Sequence, residues 1–186
     1  AARVEDFQEG YAREASNFPI PAVRRGAAAV APVNVIPDRD GHVRRASLRF
    51  LLGGEWFDAL DVALYKLIAR QGVAVAPLPT SREILINFRG GPQTFAWVPY
   101  YRVLNGEIAP EAFRGKVVYI GPTSEILHDL FPTAFARGGD MPGVEIHANV
   151  LDTYVRGDAV REVPQWISTA LAVVAALFGA YLVVRL

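Results

Sequence analysis

Trp166 to Val184, "WISTALAVVAALFGAYLVV", is nineteen residues without a charge, and it restricts what this chain can become more than any other stretch. As a helix rising 1.5 Å per residue it reaches roughly 28 Å, close to the roughly 30 Å hydrocarbon core of a bilayer. Trp166 suits one membrane interface and Arg185 can reach headgroups at the other, while Gly179 and the alanines are ordinary in membrane helices. A soluble core helix of this length would normally keep a polar face, and a signal peptide would stand at the N-terminus. Residues 166–186 are therefore expected to form a transmembrane helix, joined by a polar linker, 158–165, to a domain over 1–157.

With 186 residues there is room for one globular unit beside that helix. The 19 basic and 19 acidic residues balance, and no basic run exceeds two residues, so the chain carries no electrostatic footprint for nucleic acid. Cysteine is absent, which excludes disulfides, iron–sulfur clusters and thiolate zinc sites.

Along the chain a helix is expected near 4–15, and Pro19 and Pro21 break it. "AAAVAPVNVI" (27–36) and "HVRRASLRFLL" (42–52) flank "PDRDG" and read as an antiparallel hairpin. "FDALDVALYKLIARQG" places Leu60, Leu64, Leu67 and Ile68 at helical spacing, with Gly72 where a C-terminal cap belongs. "ILINF" (84–88) and "KVVYI" (116–120) are nearly continuous apolar runs, the pattern of strands covered on both faces. Between them "VPYYRVLNG" and "PEAFRG" predict short helices, so strand, helix, strand suggests a right-handed crossover. In "MPGVEIHANVLDTYVRG", Val144, His147, Ala148, Leu151, Tyr154 and Val155 share one helical stripe that Gly157 ends. The expected fold class is α/β: a mixed, partly parallel sheet flanked by helices, followed by one transmembrane helix.

Chemistry concentrates in "GPTSEILHDLFPTAF", Gly121 to Phe135. Gly121-Pro-Thr-Ser124-Glu lacks the second glycine of a nucleophile elbow and the lysine of a phosphate loop, so no catalytic residue is assigned and no cofactor is expected. If Lys116 to Ile120 is a central strand, Gly121 stands at its carboxyl end, where open α/β sheets bind ligands. Thr123 and Ser124 then become recognition groups, and Gly121, Thr123, Ser124, Asp129 and His147 are the candidate ligand-binding residues. Leu130, Phe131 and Phe135 read as packing that clamps the loop to the helix starting near Val144.

A metal site from His128, Asp129 and His147 is geometrically open and defines the alternative of a membrane-tethered metal-dependent hydrolase. Glu145 cannot join His147 there, because two helical residues point about 200° apart. The plainer reading of His147 is a buried histidine hydrogen-bonded to the preceding loop. "DRDG" resembles a fragment of a calcium loop, but Ile36 and Ser47 fall where carboxylates are needed, so it reads as a turn. Phe95, Trp97, Tyr100 and Tyr101 could line a ligand pocket and more simply form core and rim.

Four blocks in order resemble the second type of CHASE domain, the cyclases/histidine kinases associated sensory extracellular domain. They are Pro32-Val33-Asn34-Val35 leading into "PDRDGHVRR" (37–45), "INFRGGPQTF" (86–95), "FRGKVVYIGPTSEILHDLFPTAF" (113–135), and "MPGVEIHANVLDTYVRG" (141–157) before a membrane helix. They cover most of residues 26–186. The resemblance implies a non-enzymatic sensory input domain, residues 1–165, outside the cell membrane. It also implies an unidentified small-molecule or protein ligand, a homodimer in the intact receptor, and a continuation through at least one more membrane helix into a cytoplasmic effector. A ligand-free structural or dimerising module is the remaining alternative.

Overall fold

The structure is a computed structural model that describes residues 19–135 and 139–185, so the expected helix at 4–15 lies outside the described residues. Pro21, instead of only ending a helix, opens one: its ring is preset for the first helical position, and α1 runs Pro21–Gly26. The following stretch, 27–36, joins no ladder among the described residues, and Pro32 lacks the donor that a strand would need there. Only the turn of the expected hairpin closes, through Asp38 N–H to the His42 carbonyl at 2.7 Å, with Gly41 at φ 81°.

Strand formation begins after that turn. β1 (Arg45–Ser47) pairs antiparallel with β4 (Glu83–Leu85), Ala46 opposite Ile84. β2 (Arg49–Leu52) and β3 (Glu55–Asp58) form a hairpin whose two-residue turn, Gly53-Gly54, has positive φ at both positions, the geometry that matches strand twist. β5 (Leu130–Phe131) pairs antiparallel with β6 (Met141–Pro142), and a parallel bridge joins Val43 to Thr133. Small, mainly antiparallel sheets with one parallel contact, flanked by helices, make up the α/β domain.

Helix α2 (Leu60–Arg70) ends where expected, with Gly72 at φ 82° donating to the Ala69 carbonyl. Its most buried residues are Asp61, Val62 and Tyr65, while Leu60, Leu64, Leu67 and Ile68 are half-buried. A short helix α3 (Tyr100–Leu104) follows Pro99, and Pro110–Phe113 makes a single 3₁₀ turn. α4 (Gly143–Arg156) packs on α2 and stops at Gly157, which is left-handed and donates to the Thr153 carbonyl. The core is drawn from both helices and the β1–β4 pair: Val62, Tyr65, Ile84, Ile146, Val150 and Tyr154 are all buried.

Lys116 to Ile120 differs from expectation. It is extended without a ladder partner among the described residues, Ile120 is 77% exposed, and Tyr119 alone turns inward. The physical reason lies in its expected partner. Past Leu85 the backbone N–H groups of Asn87 and Arg89 are already taken by side chains of α4, so the β4 ladder does not extend across the sheet.

α5 (Gln165–Arg185) carries the apolar run and, apart from the half-buried Ile167, is exposed, with a mean hydropathy of 2.3 in its most apolar part. Twenty-one residues span about 32 Å, enough to cross a bilayer. The Arg185 guanidinium lies 5.7 Å from the Tyr181 ring centre, one turn back on the same helix.

Candidate functional site

Asp61, in the first turn of α2, is 3% exposed, and a carboxylate so deeply placed must find partners. It has two. Oδ2 lies 2.8 Å from His147 Nδ1, and Oδ1 accepts the Tyr119 hydroxyl at 2.8 Å. The other ring nitrogen of His147, Nε2, lies 3.2 Å from the Val33 carbonyl oxygen. With Asp61 ionised, both neighbours of the ring are acceptors, so the surroundings favour the doubly protonated imidazole. Burial disfavours that charge, but the hydrogen bond and charge of Asp61, with help from Val33 and Asp129, outweigh it and raise the His147 pKa. The Tyr119 ring stacks on His147 at 6.4 Å between centroids and 14° between planes, and burial followed by the Asp61 charge drives its own pKa far up.

Next to this triad lies a cavity of about 510 Å³ between the 32–41 segment, the β1–β4 pair and α4. Its ionisable groups are Asp38, Arg39, Arg45, Glu83, Asp61 and His147; Val35, Ile36, Ala46, Ile146 and Val150 contribute apolar wall. The size is ordinary for a small-molecule site.

A second constellation runs down α4. Glu145, Asn149 and Thr153, four residues apart, are all buried. Thr153 Oγ1 accepts from Asn87 N–H at 3.2 Å, Asn149 Oδ1 from Arg89 N–H at 2.9 Å, and the Glu145 carboxylate from the N–H groups of Gln93, Thr94 and Phe95 at 2.9, 2.8 and 3.3 Å. Four helical residues rise about 6.0 Å and two extended residues about 6.6 Å, so the stripe and the strand keep step. Gln93, at φ 69° without being glycine, is held in that conformation by the carboxylate.

Of the candidate ligand-binding residues only His147 lines the cavity. Thr123 and Ser124 are exposed, and Ser124 Oγ accepts from Ile126 N–H at the head of the 3₁₀ turn Glu125–Leu127. Gly121 is a packing position: a Cβ there would stand 2.8 Å from Val144 Cβ. Asp129 rests against Gly143 at the start of α4, and burial raises its pKa against the pull of His147. His128 is exposed in left-handed geometry at φ 52°, and no three His, Asp or Glu residues among the described residues are placed to hold a metal. His147 is hydrogen-bonded to Asp61 and Val33 rather than to the preceding loop. The exposed Trp97, Tyr100 and Tyr101 do not line the cavity. Sequence reasoning missed Asp61, Tyr119 and Arg45; the one available signal was an acidic residue among the apolar positions of α2.

A family model, the CHASE2 domain, matches residues 4–184. The chain belongs to the CHASE2 domain family. The match begins ahead of the four motif blocks and takes in nearly all of α5. No curated protein and no solved structure matches the chain. CHASE2 is an extracellular sensory domain family of signalling receptors, sensory rather than catalytic. In this CHASE2 domain both ring nitrogens of His147 are engaged, Nδ1 with Asp61 and Nε2 with the Val33 carbonyl.

Proposed function

We propose that this CHASE2 domain is the extracytoplasmic input unit of a transmembrane receptor, that a small molecule occupies the cavity beside Asp61 and His147, and that binding is relayed through α4 to α5. The observation that carries the reading is one of continuity. Ile146, His147 and Val150 of α4 line the cavity, and only Gly157 to Pro164 separate the end of α4 from the membrane helix. A ligand that binds better to one position of α4 biases two arrangements of the membrane helices, and a second copy of the chain in the receptor would supply the partner surface.

The linker is not slack. Val160 N–H bonds the Leu85 carbonyl at 3.3 Å, and Arg89 grips the Asp158 carboxylate with two donors at 2.8 and 2.9 Å. A Gly-Ser insertion between Asp158 and Val163 in the intact receptor is expected to abolish the response to stimulus while leaving expression unchanged. A response that survives the insertion refutes the relay. The chain has no cysteine, so Arg161→Cys tests sidedness: labelling by an impermeant thiol reagent in intact cells is expected.

A further inference from the structure

We infer that the ligand of this cavity is an organic anion with an apolar body, and that its anionic group takes the place of Glu162 on Arg45, releasing the linker to the membrane helix. This rests on the sensory reading above and adds the ligand class and the point of coupling.

Arg45 belongs to both structures at once. It lines the cavity from β1, and its guanidinium reaches out to the Glu162 carboxylate, three residues before α5. No other cavity-lining residue makes an ion pair with the linker among the described residues. The Glu162 side chain is 61% exposed, so water and salt weaken its hold on Arg45. A carboxylate brought into the cavity would meet the same guanidinium where less water competes, and a planar fork of donors suits a carboxylate best.

The acidic residues around the cavity already have cationic partners. Asp38 is held by Arg44 at 3.2 Å and by Arg45 at 3.7 Å, Glu83 by Arg45 at 3.5 Å, and Asp61 by His147 at 2.8 Å. Arg39 lines the cavity and makes no ion pair with any described residue. Exchange of Glu162 for a ligand carboxylate leaves the number of carboxylates around Arg45 unchanged, so Asp38 and Glu83 do not oppose the exchange more than they oppose Glu162. The apolar wall of Val35, Ile36, Ala46, Ile146 and Val150 then requires hydrocarbon behind the anionic group.

The test uses the whole chain in lipid nanodiscs, with hexanoate as probe and 1-hexanol and inorganic phosphate as controls. A spin label on Val163→Cys, an exposed position in a chain without cysteine, reports linker mobility. Saturable hexanoate binding that mobilises the label supports the inference. So does an affinity about tenfold weaker in Arg45→Gln, weaker in Arg39→Gln and stronger in Glu162→Gln, whose label is already mobile without ligand. Should Arg45→Gln not fold, the exposed Arg39 and Glu162 variants decide alone. Hexanol or phosphate binding as tightly as hexanoate overturns the ligand class, and hexanoate binding that leaves the label and the Glu162→Gln affinity unchanged overturns the exchange. Both results leave the cavity reading standing. An absence of hexanoate binding also overturns the inference, whereas loss of the Gly-Ser insertion phenotype bears on the relay alone.

Discussion

Asp61 and His147 lie 86 residues apart in the chain and 2.8 Å apart in the fold, and both line the cavity. The pair joins α2 to α4, and through the Val33 carbonyl it also holds the 32–37 segment, which contributes to the cavity's lining. An ion pair this buried is costly to break from one side, because the remaining charge keeps its desolvation penalty.

That pairing makes stability depend on pH with a definite sign. The folded pKa of His147 is raised above its ordinary 6.5, so its contribution is complete below about 6.5 and is lost as pH rises through the folded value. The urea midpoint of the detergent-solubilised chain, followed by tryptophan fluorescence, is expected to fall between about pH 6 and pH 9. Asp61→Asn should remove this slope and cost about 3 kcal/mol below it. A midpoint that climbs with pH over the same interval would show a neutral His147.

Glu145→Gln tests the polar stripe of α4. Gln can still accept from Thr94 and Phe95 at one oxygen, but its amide nitrogen would then face the Gln93 N–H, donor against donor. A loss of about 2 kcal/mol is expected, with faster hydrogen exchange at the amides of 93–95 than at Arg89, which depends on Asn149. Unaltered exchange at those three amides would mean that the carboxylate does not hold the loop.

Gly121→Ala places a methyl group 2.8 Å from Val144 Cβ and should destabilise the domain by about 1 to 3 kcal/mol. Val144→Ala in the same chain is expected to restore part of that loss, a coupling that a double-mutant cycle measures directly. Additive losses would place the strain elsewhere.

The Tyr154 hydroxyl is buried without a hydrogen-bond partner among the described residues, and burial with the nearby Asp61 charge pushes its pKa well above the ordinary tyrosine value. Tyr154→Phe removes an unpaired polar atom and should be neutral or stabilising by about 1 kcal/mol. A clear loss of stability on this change would reveal a partner for the hydroxyl.

What the sequence determined by itself were the features set by near neighbours. An uncharged run of membrane length, the end of α2 at Gly72 and the end of α4 at Gly157 follow from composition, periodicity and left-handed caps within a few residues. Family membership was legible for a similar reason, because the motif blocks are local strings. The tertiary structure decided what depends on distant polar groups finding one another. The apolar stripe read from Val144, His147 and Ala148 is rotated on α4, because Glu145, Asn149 and Thr153 turn inward to satisfy backbone donors 50 to 66 residues away. Those same bonds keep "ILINF" from pairing across to "KVVYI", so the sheet edge that was to carry Gly121, Thr123 and Ser124 does not form. A buried carboxylate or amide reads as surface in a sequence, since its cost and its partner appear only when the chain brings the donor to it.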